Sequence, residues 1–238
     1  MAKGQPVGGG DGENHILAAL PRDEYERLLS LSDTVSHSLR SLMYQANGPI
    51  NHVYFPTSGV LSLIVIMADG GSVEVGTVGN EGFLGTPILL GADRSPTQVF
   101  CQVPGASRRM RAAVFIDEIA KSSVFRRACL RYTQGLLAMT AQSTACNKLH
   151  PVNERCARWL LITHDRVPGD EFPITHEFLS MMLGTRRASV TVAAGALQQA
   201  GLITYHRGHI KVLDRPGLEA ASCECYGVVR EEMDRLRH

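Results

Sequence analysis

The segment 174–203, ITHEFLSMMLGTRRASVTVAAGALQQAGLI, constrains the fold more than any other stretch, because it reads as two short helices joined by a tight turn. Thr175 is a suitable N-cap, and Phe178, Leu179, Met182 and Leu183 recur at helical spacing. Gly184 is placed to end that helix in a left-handed turn, and Thr185 is expected to cap a second helix starting near Arg186. On the second helix Val190, Ala193, Ala194 and Leu197 form the inward stripe, leaving Arg186, Arg187, Ser189 and Gln198 on or near the outer face. In a helix-turn-helix the first turn of the second helix meets base edges in the major groove, while hydroxyls and the helix dipole meet phosphates. The bland alternative is an ordinary helical hairpin with a solvated arginine pair.

The next residues weigh against that alternative. LITYHRGHIKVLD alternates apolar and polar positions on both sides of Arg207-Gly208, which predicts a two-residue β-hairpin carrying His206, Arg207, His209 and Lys211 at its tip. A basic hairpin directly after a reading helix is a wing, and wings rest on the phosphate backbone. The expected DNA contacts are therefore Thr175, Thr185, Arg186, Arg187, Ser189, Arg207, His209 and Lys211, with double-stranded DNA as the partner.

These elements resemble the C-terminal domain of the Crp/Fnr family of bacterial transcription regulators. In that family the reading helix opens with an arginine, a glutamate and a threonine or serine, and the matching positions here are Arg187, Ala188 and Ser189. Arginine suits bidentate contact with guanine, whereas the absent carboxylate removes an acceptor for cytosine N4. The resemblance thus implies DNA binding with an altered target sequence.

Upstream, NHVYFP, GVLSLIVIMADGGSVEVGTVGNEGFLG and TQVFCQVPGASRRMRAAVF carry β-branched runs broken by Gly and Asp-Gly turns, following a helical stretch over 15–31. Many short strands predict a barrel or jelly roll. The phrase HVYFPTSGVLSLI and the GFLG at 82–85 resemble the cyclic-nucleotide-binding fold of the same family. The expected class is α+β: a flexible tail over 1–14, a double-stranded β-roll over 15–122, a long central dimerisation helix over 123–149 and a winged helix-turn-helix over 150–238.

What the resemblance implies about an effector turns on a short run. Nucleotide-binding members hold the ribose with a glutamate after the GFLG-like glycine and the phosphate with an Arg-Ser-Ala run. Here Gly85 is followed by Thr86 and Pro87, and later come Arg94, Ser95 and Pro96. Arg94 retains a donor fork, but Thr86 cannot replace a carboxylate and Pro87 removes a backbone donor. Gly85, Thr86, Arg94 and Ser95 mark the candidate pocket; no cofactor is expected, and a cyclic nucleotide is disfavoured.

Six cysteines bear on redox chemistry. Iron-sulfur members of the family place a cysteine cluster near the N-terminus, and none stands here before Cys101. Cys129, Cys146 and Cys156 fall in predicted helices, where cysteine usually packs as a small apolar group. Cys223 and Cys225 are two apart, and on one helix such a pair does not share a face, so metal chelation by it is not expected.

Phe125, Ala128, Tyr132, Gly135, Met139, Gln142, Cys146 and Leu149 recur at alternating spacings of three and four, the seam of two packed helices. A helix packed on its own β-roll would show the same stripe. The resemblance implies the first, with Phe125, Ala128, Tyr132, Gly135, Met139, Gln142 and Cys146 as the interface of a homodimer on a palindromic operator. RNA polymerase is a compatible further partner.

Composition bounds the remaining classes. At 238 residues the chain accommodates two domains, its net charge of +1 is uninformative, and 151–215 carries eight Lys/Arg against six Asp/Glu. No apolar run approaches a membrane span and no signal peptide is recognised, so a cytoplasmic protein without a membrane partner is expected. A sensor whose helix-turn-helix docks protein is the alternative reading. An enzyme is remote: His150, His164 and Asp165 stand without a phosphate loop, nucleophile elbow or metal spacing.

Overall fold

The computed structural model describes residues 12–237. Their contacts gather into two compact units, 12–63 with 77–135 and 64–76 with 136–235.

The first unit opens with α1 (His15–Ala18) and α2 (Arg22–Ser30), where a single helical stretch was expected. Pro21 separates them, since its ring and missing N–H interrupt a continuous helix. Asn14, assigned from sequence to a flexible tail, is buried instead. Its side-chain oxygen accepts from Leu17 N, and its amide donates to the carbonyls of Pro56 (2.9 Å), Asn80 (3.2 Å) and Gly82 (2.7 Å). The remainder of the expected tail, residues 1–11, lies outside the described residues.

The strands follow as β1 (Asp33–His37), β2 (Leu42–Tyr44), β3 (His52–Pro56), β4 (Val60–Ile66) and β5 (Ser72–Val78). After α3 (Thr86–Leu89) come β6 (Gln98–Val103) and β7 (Gly105–Arg111). One sheet has the order β1-β7-β3, antiparallel throughout, and the other β2-β6-β4-β5. Together they form the expected β-roll. Alternation on β3 turns Val53 and Phe55 inward, where neither is exposed. Phe55, Phe83, Phe115 and Phe125 meet with ring centroids 5.6–6.2 Å apart, the spacing of offset and edge contacts. The strand reading carried through Phe115 ends early: α4 (Ala112–Lys121) begins at Ala112 and its helical spacing delivers Phe115 to this cluster.

α5 (Ser123–Leu149) is the long helix. The stripe chosen as a pairing seam faces its own chain. Phe125 joins the phenylalanine cluster, Tyr132 lies over Gly82 and 5.5 Å from Phe83, and Met139 reaches Gly76. Phe125, Tyr132, Gly135, Met139 and Cys146 are all buried within the chain, Ala128 and Gln142 keep partial exposure, and Leu149 at the helix end is exposed. A different stripe, Arg127, Leu130, Gln134, Leu137, Ala141, Thr144 and Lys148, is exposed at the same alternating spacing. Leu130 and Leu137 on it are 42% and 57% exposed.

The second unit comprises α6 (Val152–His164), β8 (Glu171–Pro173), α7 (His176–Met182), α8 (Arg187–Gln199), β9 (Ile203–His206), β10 (His209–Val212), α9 (Arg215–Ala220) and α10 (Cys225–Arg237). α6 is its core helix, with Cys156, Ala157, Leu160 and Leu161 excluded from solvent and the Trp159 indole donating to Glu74 at 2.8 Å. Arg215 fastens α9: its guanidinium donates to Asp165 (2.5 Å), Glu219 (3.0 Å), the Tyr226 hydroxyl (2.6 Å) and His164 Nδ1 (2.8 Å). His164 therefore accepts at Nδ1 and donates from Nε2 to Asp170 at 3.0 Å. His164 and Asp165, named above as remote catalytic candidates, are thus members of a structural network.

Candidate nucleic-acid interface

The turn between α7 and α8 is set by two backbone hydrogen bonds. α7 starts where Thr175 Oγ1 accepts from Phe178 N at 3.1 Å, so the Thr175 hydroxyl oxygen is engaged as an N-cap. It ends as Gly184 N donates to Met181 O (3.2 Å) and Thr185 N to Ser180 O (3.0 Å). That pair of bonds closes a Schellman motif, which needs a left-handed residue between them, and Gly184 supplies it with φ 56°. Thr185 is thereby used to finish α7. It does not cap α8, whose N-cap is Arg186 without a side-chain cap bond.

α8 buries the expected stripe, Val190, Ala193, Ala194 and Leu197, each at most 5% exposed. Burial of side chains such as Val190 and Leu197 is worth about 1.5–3 kcal/mol apiece, enough to hold the helix at a fixed rotation about its axis. The opposite face is thereby presented outward. Arg186, Arg187 and Ala188 are exposed and Ser189 is half-buried at its edge. Thr191, Val192 and Gly195 continue the exposed face, with Val192 73% exposed. The sequence reading missed Thr191 and Val192, although they stand three and four positions beyond Ala188. Gln198 is exposed and its side-chain oxygen accepts from Tyr205 N at 2.9 Å, which ties the end of α8 to the following strand.

That strand belongs to the wing. β9 and β10 pair antiparallel with His206 opposite His209, and the two residues between them, Arg207 (φ 47°) and Gly208 (φ 83°), form the turn with positive φ at both positions. A third strand, β8, pairs with β10 and gives the order β8-β10-β9. Three residues bounded by Gly169-Asp170 and Ile174 are too short for an alternation pattern, so sequence did not reveal it. Ile203, Ile210 and Val212 face the core, while Thr204, His206, Arg207, His209 and Lys211 are exposed. His209 Nδ1 lies 3.4 Å from Glu171. Among the described residues Arg186, Arg187, Arg207 and Lys211 have no carboxylate at ion-pair distance. Solvated basic groups converge on one exposed helix face and one exposed hairpin, an arrangement fit to grip a polyanion.

His176, at the start of α7, stacks on Tyr205 with ring centroids 4.2 Å apart and exchanges a hydrogen bond with Thr191 Oγ1 at 3.1 Å. Burial, with the nearby Arg187 charge, lowers its pKa below the ordinary 6.5. The neutral ring thus holds α7, α8 and β9 together.

The candidate effector residues are placed differently. Gly85 is the N-cap of the four-residue α3, which begins at Thr86. Arg94 is exposed and its Nη1 donates to Asn47 O at 2.6 Å, while Ser95 is buried and its hydroxyl donates to Thr97 O at 2.6 Å. The Arg94 bond, with the backbone bonds Asn47 N to Ser95 O and Ser95 N to Gly48 O, closes the 47–49 and 94–97 loops on each other, while the Ser95 hydroxyl is used within its own loop. The residues suited to a metal stand elsewhere: Cys146, His150, Cys223 and Cys225 offer four ligand atoms within 4.8 Å of one another. The expectation that Cys223 and Cys225 diverge on one helix is corrected, because Cys223 precedes α10 and only Cys225 belongs to it.

The family described as the Crp-like helix-turn-helix domain matches residues 154–221. Solved structures share the fold. FixK2 from Bradyrhizobium japonicum aligns with a TM-score of 0.69 at 15% identity, covering 81% of this chain and 98% of its own. A CRP-family transcriptional regulator from Thermus thermophilus gives 0.67 at 16% identity, over 79% of this chain and 96% of that one. The c-di-GMP responsive global regulator CLP of Xanthomonas campestris gives 0.64 at 17%, over 80% and 98%. No curated protein matches by sequence. Residues 154–221 are a Crp-like helix-turn-helix domain, on the fold of Crp/Fnr regulators.

Proposed function

We propose that this chain is a homodimeric, sequence-specific DNA-binding transcription regulator that reads an imperfect palindrome with α8 and grips phosphate with its wing. The observation that carries the reading is the exposed face of α8, where Arg187 and Ala188 open the helix beside a hairpin whose Arg207 and Lys211 have no carboxylate partner among the described residues. Arg187 reads guanine from the major groove. Ala188 and Val192 offer only methyl groups, which favours a thymine methyl where a carboxylate would have favoured cytosine. Thr175, Thr185, Arg186 and Ser189 approach the phosphates flanking the helix, and Arg207, His209 and Lys211 those under the wing.

The working division of the chain is a β-roll sensor over 15–122, a dimerisation helix over 123–149 and the reading domain over 150–238. The exposed α5 stripe through Leu130 and Leu137 forms the pairing seam, since the buried stripe is already engaged by its own chain. A signal in the β-roll would act only by favouring one dimer arrangement over another. A cyclic nucleotide is disfavoured as that signal because Arg94 and Ser95 are engaged by the backbone. No helix among the described residues is long and apolar enough to cross a membrane, in keeping with a DNA-bound role in the cytoplasm.

Equilibrium binding to duplex DNA over a salt series tests the reading. Affinity should fall by orders of magnitude between roughly 50 and 200 mM salt, with a shallower slope for Arg207→Ala. A helix-turn-helix that docks protein would show no duplex binding at any salt.

A further inference from the structure

We propose that Cys146, His150, Cys223 and Cys225 form a tetrahedral Cys3His site for a single zinc-class ion. The site is independent of the DNA-reading surface. It closes the C-terminal end of α5 onto the segment that connects α9 to α10.

Each ligand is delivered by local structure. Cys146 lies in the last turn of α5 and His150 directly follows the helix, four residues on, so both fall on one side. Cys223 sits in the loop after α9, and Cys225 is the first residue of α10. Cys146 Sγ is 3.5 Å from Cys223 Sγ, and Cys225 Sγ is 3.5 Å from His150 Nδ1. With metal–sulfur bonds near 2.3 Å and metal–nitrogen bonds near 2.0 Å, the edges of a tetrahedron are about 3.5–3.8 Å. Both measured pairs therefore fit with little movement, and no pair of ligand atoms is more than 4.8 Å apart. On a cluster of four irons each thiolate binds a separate iron, so the ligand sulfurs are held wider than this.

The surroundings match a metal centre better than a simple packing of thiols. His150 Nε2 lies 3.1 Å from the Glu224 carboxylate, so its N–H is held there and its Nδ1 lone pair faces the sulfurs. Ligating histidines are commonly oriented by a carboxylate in this way. Gln142 Nε2 donates to Cys225 Sγ at 3.1 Å, a bond that a thiolate accepts more strongly than a thiol. Two buried guanidiniums of α6, Arg155 and Arg158, stand within electrostatic range of Cys146. Neither has a carboxylate partner among the described residues, and the Nε of each is buried without a hydrogen bond. Buried cations require compensating negative charge. A divalent ion with three thiolates and a neutral histidine carries one net negative charge, which offsets one of these two cations. Metal binding proceeds with three metal–sulfur bonds and one metal–nitrogen bond formed, three S–H bonds broken, and three protons released to solvent. Four protein ligands leave no open position, so the site is structural.

The test is elemental analysis of the full chain purified without chelator, paired with Co²⁺ titration of the stripped protein. The expected result is one zinc per chain, falling by at least about tenfold in Cys223→Ser and His150→Asn. Co²⁺ should give tetrahedral ligand-field and thiolate charge-transfer bands that saturate at one equivalent. Metal-free wild-type protein that shows no cobalt bands overturns the proposal, whatever the variants do. Undiminished zinc in both variants also overturns it, as does iron with inorganic sulfide, or a Cys146–Cys223 disulfide seen as a mass lower by two hydrogens.

Discussion

Arg187 and Arg207 are both exposed guanidiniums without a carboxylate partner among the described residues, yet their positions assign them different work. Arg187 is in the first turn of α8 and Arg207 at the wing tip; on the proposed reading the first reaches base edges and the second meets the DNA backbone. Arg187→Ala should cost about 1–3 kcal/mol on the preferred site and much less on unrelated DNA; Arg207→Ala should weaken both alike. Fluorescence anisotropy on the two duplexes separates them. At His176 the sign of the pH effect follows from its lowered pKa. The unfolded chain takes up a proton near 6.5 and the folded chain only at lower pH, so stability from the neutral ring is complete above 6.5 and declines on acidification below it. Denaturant midpoints measured from pH 7.5 to 5 should therefore fall less steeply for His176→Gln than for the natural chain; parallel curves would contradict this role. Residue types at the reading surface were legible because helical spacing and turn chemistry are local. Thr185 was not, since whether a threonine caps the next helix or completes the previous one depends on which backbone bonds close first in space.

Among the elements, α5 shows what periodicity does and does not encode. A stripe at spacings of three and four identifies an apolar helix face but not the surface that covers it. Phe125, Tyr132 and Met139 meet groups of their own chain, and the stripe through Leu130 and Leu137 lies exposed. Leu130→Glu with Leu137→Glu should leave the helix content unchanged while converting dimer to monomer in sedimentation at micromolar concentration. A dimer that survives both charges would place the seam elsewhere. Tyr132→Ala should instead destabilise folding by about 3 kcal/mol, because the ring fills a buried site against Phe83. The helices of the reading hairpin and the β9–β10 wing were legible from long patterns. β8 was too short to carry one, and the start of α10 decided whether Cys223 and Cys225 share a helix.

For the whole molecule, the proposed pairing of two copies along α5 would present two α8 helices related by a two-fold axis. The preferred DNA should then contain two inverted half-sites about one helical turn apart. The β-roll and the winged helix-turn-helix were both visible as classes in the sequence, whereas the Cys3His cluster depends on residues more than seventy positions apart and appears only in three dimensions. Selection of duplexes from a random-sequence pool by the purified protein, run beside Arg187→Ala, tests whether α8 reads DNA sequence. The natural chain should enrich one inverted repeat, and the variant should lose or relax a guanine-containing position in each half-site. A pool that shows no enriched motif, or the same motif undiminished with Arg187→Ala, would contradict α8 as the reader of DNA sequence.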